Sequence, residues 1–225
     1  MKIIVIPDTH GTKHWNKAVG LINTADKIIF LGDEFDSFDI PYSHQMKNAE
    51  EIISFKKKYP DKVRLCWSNH ATSYFLNELC SGYQREHAAF INQYYFNNKD
   101  FFEAVFIFDN WIFSHAGVSK YWFNATACKS PNDINILFNE RVNFFRWVGP
   151  DSYGNNLNEG PFWIRPPSLL KSAYSGYNQV IGHTEESDNP KEYILRNNEK
   201  IVSVDSKIHD GIIELNTETN YWKLI

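Results

Sequence analysis

Cysteine is scarce: Cys66, Cys80 and Cys128 are the only three in 225 residues, and no pair has C-x-x-C spacing. An odd, scattered set excludes a disulfide framework and offers no zinc knuckle. Long apolar runs are also missing. The N-terminal stretch MKIIVIPDTHG is too short for a secretory leader. No window approaches the roughly 20 apolar residues of a membrane-crossing helix. Basic residues cluster only at Lys56, Lys57 and Lys58, expected to end a helix, favour its dipole and stay solvated. With a formal net charge of −4, nothing argues for a nucleic-acid surface. These absences predict a reduced, cytoplasmic setting with no membrane partner. Repeats, low-complexity tracts and Pro/Gly/Ser-rich linkers are absent too, so one domain over 1–225 is expected.

Hydrophobic residues make up 43% of the chain and aromatic ones 16%, enough for a large core without metal or disulfide support. Short apolar runs predict strands at Lys2–Ile6, Lys27–Leu31 and Val63–Trp67. Helical periodicity predicts helices over His14–Asn23, His44–Tyr59 and Tyr83–Asn98. Further on, Ala104–Phe108 and Trp111–Ser114 flank an Asp109-Asn110 turn, Asn132–Trp147 reads as a helix, and Gly149–Gly176 reads as irregular. Val180-Ile181, Ile201–Val204, Ile212–Leu215 and Tyr221–Leu224 read as late strands. Strand–helix alternation followed by antiparallel strands predicts an α/β sandwich of two sheets with helices outside. Ligands in such designs gather beyond the carboxyl ends of the strands.

Polar residues stand at those ends. Asp8 and His10 follow the first strand, Asp33 and Asp36 the second, Asn69 and His70 the third, His115 the hairpin and His183 a later strand. Taken singly, each is a turn residue, a cap or a satisfied core histidine. Taken together, their order along successive strand ends argues for one centre. Carboxylates, a carboxamide and imidazoles suit a pair of divalent ions, and two such ions can clamp a phosphoryl group and acidify a bridging water. Asp33, in the middle of the series, suits the bridging position. Oxygen and imidazole donors fit manganese first, with iron or zinc as alternatives, better than calcium. His14, His44, His87 and His209 fall outside the pattern, and Asp205 reads as a turn residue or a support behind a metal ligand.

The strings DTH, GDEFD, NH, SHAG and GH resemble, in type and order, the motifs of the calcineurin-like metallophosphoesterase superfamily. WIFSHAGVS and VSVDSKIHDGIIELN resemble its protein serine/threonine phosphatase branch most closely, including the small bacterial and phage members. The resemblance implies a four-layer αββα fold and a dinuclear phosphoesterase whose nucleophile is a metal-bridging hydroxide. It implies that Asp8, His10 and Asp33 hold one metal, and that Asp33, Asn69, His115 and His183 hold the other. His70 would act as the general acid, oriented by Asp36. Arg165, in GPFWIRP, resembles a phosphate-gripping arginine of bacterial relatives. The branch's usual Arg and Glu are replaced here by Ser37 and Ala71. The first expectation is hydrolysis of a phosphomonoester, on a phosphoprotein or a small phosphorylated metabolite. The missing Arg motivates a nucleotide phosphodiesterase or dinucleoside polyphosphate hydrolase as the alternative, and Ser37 and Ala71 together motivate a decayed metal-binding interaction module. Substrate choice is expected in an insert around 121–176, with Trp147 and Trp163 as walls or packing residues.

Overall fold

Side chains alternate by two along a strand, so β1 (Lys2–Ile6) sends Ile3 and Val5 to one face and Ile4 and Ile6 to the other. All four are fully buried. A strand apolar on both faces must be covered twice. In the computed structural model, which describes residues 1–149, 153–185, 187–206 and 211–225, both covers are present.

β1 runs parallel to β2 (Lys27–Phe30), β2 to β3 (Val63–Cys66), and β3 to β4 (Phe102–Glu103). The second sheet starts with the hairpin β5 (Val105–Phe108) and β6 (Trp111–Ser114). It continues with β7 (Asn178–Ile181), β8 (Lys191–Ile194) and β9 (Lys200–Ser203), in the spatial order β5-β6-β7-β9-β8. β10 (Ile213–Asn216) and β11 (Tyr221–Leu224) return to the first sheet, giving it six strands in the order β11-β10-β1-β2-β3-β4. The helices are α1 (Asn16–Val19), α2 (Tyr42–Lys58), α3 (Asn69–Leu76), α4 (Ala88–Asn98), α5 (Lys120–Ala125), α6 (Asp133–Glu140) and α7 (Pro166–Ser172).

Three buried clusters define the layers. Ile3, Val5, Ile29 and Leu31 meet Phe113, Val180 and Val202 between the sheets. Ile4, Ile6, Ile28 and Phe30 take Ile52 of α2, Tyr74 of α3 and Ile91 of α4 on the outer face of the first sheet. Leu169 of α7 covers Ile181 and Ile201 outside the second sheet. Each fully buried aliphatic side chain contributes about 1.5–3 kcal/mol relative to exposure. The expected two-sheet sandwich with helices outside is therefore the observed architecture. Aromatic residues serve this core as expected, with Trp67 packed against Phe75, Tyr95, Phe102 and Phe138.

Some local expectations are corrected. The helix expected over His14–Asn23 shrinks to Asn16–Val19. That over Asn132–Trp147 ends at Glu140 and is followed by a 3-10 turn at Val142–Phe145. α3, α5, β4 and β8 are elements beyond those expected. The Gly149–Gly176 stretch carries α7, whose Pro166 occupies the first helical turn, where a missing N–H costs nothing. Lys56 is buried rather than solvated: its ammonium donates to the carbonyls of Pro60 (2.8 Å) and Val63 (2.9 Å), tying the end of α2 to the start of β3. His209 lies outside the described residues.

Candidate active site

Parallel strands present their carboxyl ends along one edge, and the loops leaving them there are sharply bent. His10, Asp33, Asp36 and His183 all have positive φ, at 41°, 54°, 71° and 66°. This region is uncommon for residues other than glycine, and such conformations concentrate at functional sites. Gly32, with φ of 114°, admits the bend before Asp33; a Cβ there would lie 2.7 Å from that of Ser68. Ser68 in turn caps α3, its hydroxyl accepting from the Ala71 N–H, and also accepts from the Asp33 N–H. One side chain thus locks the β2 loop to the helix that carries Asn69 and His70.

The bends converge on a cavity of about 320 Å³ lined by Asp8, His10, Asp33, Asn69, His70 and His183, together with Cys80, Ser81, Trp163, Arg165, Glu185 and Asp205. His115 lies fully buried beside it. Its Nε2 is 2.7 Å from Asn69 Oδ1, 3.2 Å from His183 Nδ1 and 3.5 Å from Asp33 Oδ2. Its Nδ1 is held by the Leu31 carbonyl at 2.9 Å. His10 Nδ1 is likewise held by the Phe35 carbonyl at 2.6 Å, and its Nε2 faces Asp33 Oδ2 at 3.8 Å. The His183 N–H donates to Asp8 Oδ2 at 3.0 Å. Seven of the eight strand-end residues therefore meet at the cavity, and the eighth, Asp36, stands behind His70, bonded to its Nδ1.

Electrostatics divide these groups. Burial opposes ionisation of Asp33, but the imidazoles of His115, His70 and His10 outweigh it and hold its carboxyl well below the usual range. Asp8 goes the other way, raised by burial and then by Asp205 and Asp33. Burial lowers His10, His115 and His183, so all three imidazoles are neutral and able to bind metal through nitrogen. His70 differs. Burial opposes its charge, but Asp33 and the 2.7 Å bond from Nδ1 to Asp36 Oδ2 raise it well above an ordinary histidine.

The donor set fits divalent cations. Asp8 Oδ1, Asp33 Oδ1 and His183 Nε2 are buried with no hydrogen-bond partner, whereas buried polar atoms are normally paired. Asp8, Asp33 and His115 each offer a ligand atom, all within 4.8 Å of one another. Cations would satisfy these orphaned atoms and relieve the repulsion between Asp8 and Asp33.

The two departures from the family pattern have structural outcomes. The Ser37 hydroxyl accepts from the N–H groups of Asp39 (3.3 Å) and Ile40 (3.2 Å), so it shapes a turn and does not reach for phosphate. Ala71 is fully buried in the core beneath α3. Among the described residues, Arg165 is the only arginine lining the cavity. Trp163 lines it as well, stacked on Trp147 at 5.5 Å and 16°. Of the histidines outside the pattern, His87 stacks on Tyr42, away from the cavity.

Sequence reasoning did not place Cys80, Ser81 or Glu185 at the cavity, and gave Asp205 only a supporting role. Asp205 had the available signal, since it follows β9 as Asp8 follows β1; burial and then Glu185 and Asp33 raise its carboxyl to about 7. Cys80 had none. It arrives on a loop seated against Asp36, where Gly82 at φ 73° would put a Cβ 2.6 Å from the Asp36 carbonyl oxygen.

A family model described as calcineurin-like phosphoesterase matches residues 1–202. The fold is similar to that of a cold-active protein-tyrosine phosphatase from a psychrophilic Shewanella species, at 17% identity and a TM-score of 0.68, covering 100% of this chain and 80% of that one. It is also similar to a protein serine/threonine phosphatase from Saccharomyces cerevisiae, at 14% identity and a TM-score of 0.60, covering 99% and 79%. No curated protein matches the sequence significantly.

Proposed function

Because the chain belongs to the calcineurin-like phosphoesterase family, of metal-dependent phosphoric ester hydrolases, we propose that its cavity hydrolyses a phosphomonoester. The substrate is a phosphoprotein or a small phosphorylated metabolite. Asp8, His10, Asp33, Asn69, His115 and His183 would hold two divalent ions, manganese by preference. Such ions neutralise the phosphoryl oxygens and make water acidic enough to attack at neutral pH.

The chain's own residues do the rest. His70 points Nε2 to within 3.8 Å of Asp33 Oδ2, at the cavity, and binds Asp36 through Nδ1. Asp36 fixes the ring and stabilises its charge, so the Nε2 proton is available to the departing ester oxygen. Arg165, lining the cavity, supplies the cation for the phosphate that Ser37 does not. Trp163 beside it gives the leaving group a flat apolar surface. The observation that carries this reading is the convergence of orphaned buried donors, Asp8 Oδ1, Asp33 Oδ1 and His183 Nε2, beside a histidine bonded to Asp36.

Purified protein supplied with manganese should cleave an aryl phosphate monoester. Asp33→Asn and His70→Ala should each lower kcat by roughly 100-fold or more. Full rates in both variants reject the assignment. Arg165 as the only cavity arginine leaves room for a second ester group, so a diester and a dinucleoside polyphosphate belong in the same assay. Faster turnover of either would move the substrate class to the alternative reading.

A further inference from the structure

Beside the proposed dinuclear centre lies a second set of donors. Asp36 Oδ2, His70 Nδ1 and Cys80 Sγ lie within 4.8 Å of one another. Asp36 Oδ1 is already engaged by the Tyr74 hydroxyl and by Gln84 Nε2 at 3.3 Å, which leaves Oδ2 aimed at His70 and Cys80. The sulfur is 3.6 Å from that oxygen and 3.5 Å from His70 Nδ1. We propose that Asp36, His70 and Cys80 form an inhibitory site for a thiophilic divalent ion such as zinc, reached through the catalytic cavity.

Geometry supports this. Zinc–sulfur bonds of about 2.3 Å and zinc–nitrogen or zinc–oxygen bonds of about 2.0 Å give tetrahedral edges from sulfur of about 3.5 Å. The two sulfur edges already have that length. The third, between Nδ1 and Oδ2, is 2.7 Å because the two atoms share a proton. It must open to roughly 3.3 Å once that proton leaves. Binding releases this proton and the thiol proton to solvent, and the ion takes their place. Cys80 and His70 both line the cavity, so an ion has a way in and a water can complete its shell.

Ligand chemistry separates this site from its neighbour. Of the two, this site alone offers a thiolate, which favours zinc, cadmium and other soft ions, whereas the carboxylate and imidazole set takes manganese and zinc alike. Occupancy severs the His70–Asp36 bond that fixes the ring for its proposed role. The loss of rate therefore rests on the proposed proton-donor role of His70, but the binding itself does not.

Cadmium serves as the probe, because its bond to thiolate adds charge-transfer absorption in the ultraviolet. The manganese-loaded protein is titrated with cadmium while absorption and the hydrolysis of a phenyl phosphate are followed together. Wild type and Cys128→Ser should gain the absorption and lose rate in step. In Cys80→Ser and Cys80→Ala the absorption should be missing, and inhibition should need at least tenfold more cadmium, each variant being read against its own cadmium-free rate. Absorption and inhibition that persist in both Cys80 variants overturn the site. Cys80-dependent absorption with an undiminished rate leaves the site standing and overturns the role of His70.

Discussion

Asp36 is the residue around which the proposed acid chemistry is organised. Its carboxylate faces the His70 ring on one oxygen and accepts from Tyr74 and Gln84 on the other. Tyr74 is itself fixed, stacked on Tyr83 at 4.4 Å and accepting from the Gln84 N–H at 3.1 Å. Removing its hydroxyl deletes a charge-assisted bond without emptying the core. Tyr74→Phe should therefore lower kcat about tenfold for phenyl phosphate, whose leaving group needs a proton. For a dinitrophenyl phosphate, whose leaving group needs none, kcat should change less than about twofold. KM should stay level for both. Equal losses on the two substrates would show that Tyr74 supports the fold rather than the orientation of Asp36.

At the scale of elements, the strands and the residues at their ends were legible because both rest on short, local signals. A five-residue run such as Lys2–Ile6, four of them apolar, reads as a strand, and a polar residue placed directly after it has one end of the sheet to occupy. α3 was not legible, because Asn69 and His70 read as a strand-end loop although they open a helix. Its visible signal is Ser68, a good N-cap residue, but only the fold reveals that the same hydroxyl also takes the Asp33 N–H. β8 escaped notice because it is an edge strand of four half-exposed or exposed residues with no apolar stripe. Cys80 was illegible for another reason: a loop position carries no period. Ser68→Ala tests the double role. It should cost about 1–2 kcal/mol for the cap alone, lowering Tm by roughly 2–8 °C. It should also reduce kcat, since the Asp33 loop and the first turn of α3 lose their common anchor. A variant of normal stability and activity would mean that the two loops hold their positions independently.

For the whole molecule, the same buried charges that would bind metal make the metal-free fold sensitive to pH. Asp8 is raised by burial and its acidic neighbours, and Asp205 is raised to about 7, both from an ordinary value of 3.8. A carboxyl raised in the folded state binds its proton more tightly there than in the unfolded chain. Its stabilising effect is full below about pH 4 and is lost as pH rises through about 7. Glu34, raised to about 7 by burial, adds a slope of the same sign. It is not among the cavity residues, so its contribution is similar with or without metal and cancels in the difference. Metal reverses the slope from Asp8, because a ligating carboxylate must be ionised and protons compete with the ion. Above about pH 6.5, where His10, His115 and His183 are neutral in the folded and unfolded chain alike, chelator-treated protein should therefore become less stable as pH rises, whereas manganese-loaded protein holds or gains stability. At a metal concentration about 1,000 times Kd the added stability is about 4 kcal/mol, which for a chain of this size raises Tm by roughly 8–16 °C. Thermal scans across that pH range, with chelator and with manganese, read the two curves directly. Their gap should widen as pH rises, and a constant or vanishing gap would mean that Asp8 does not meet the ion.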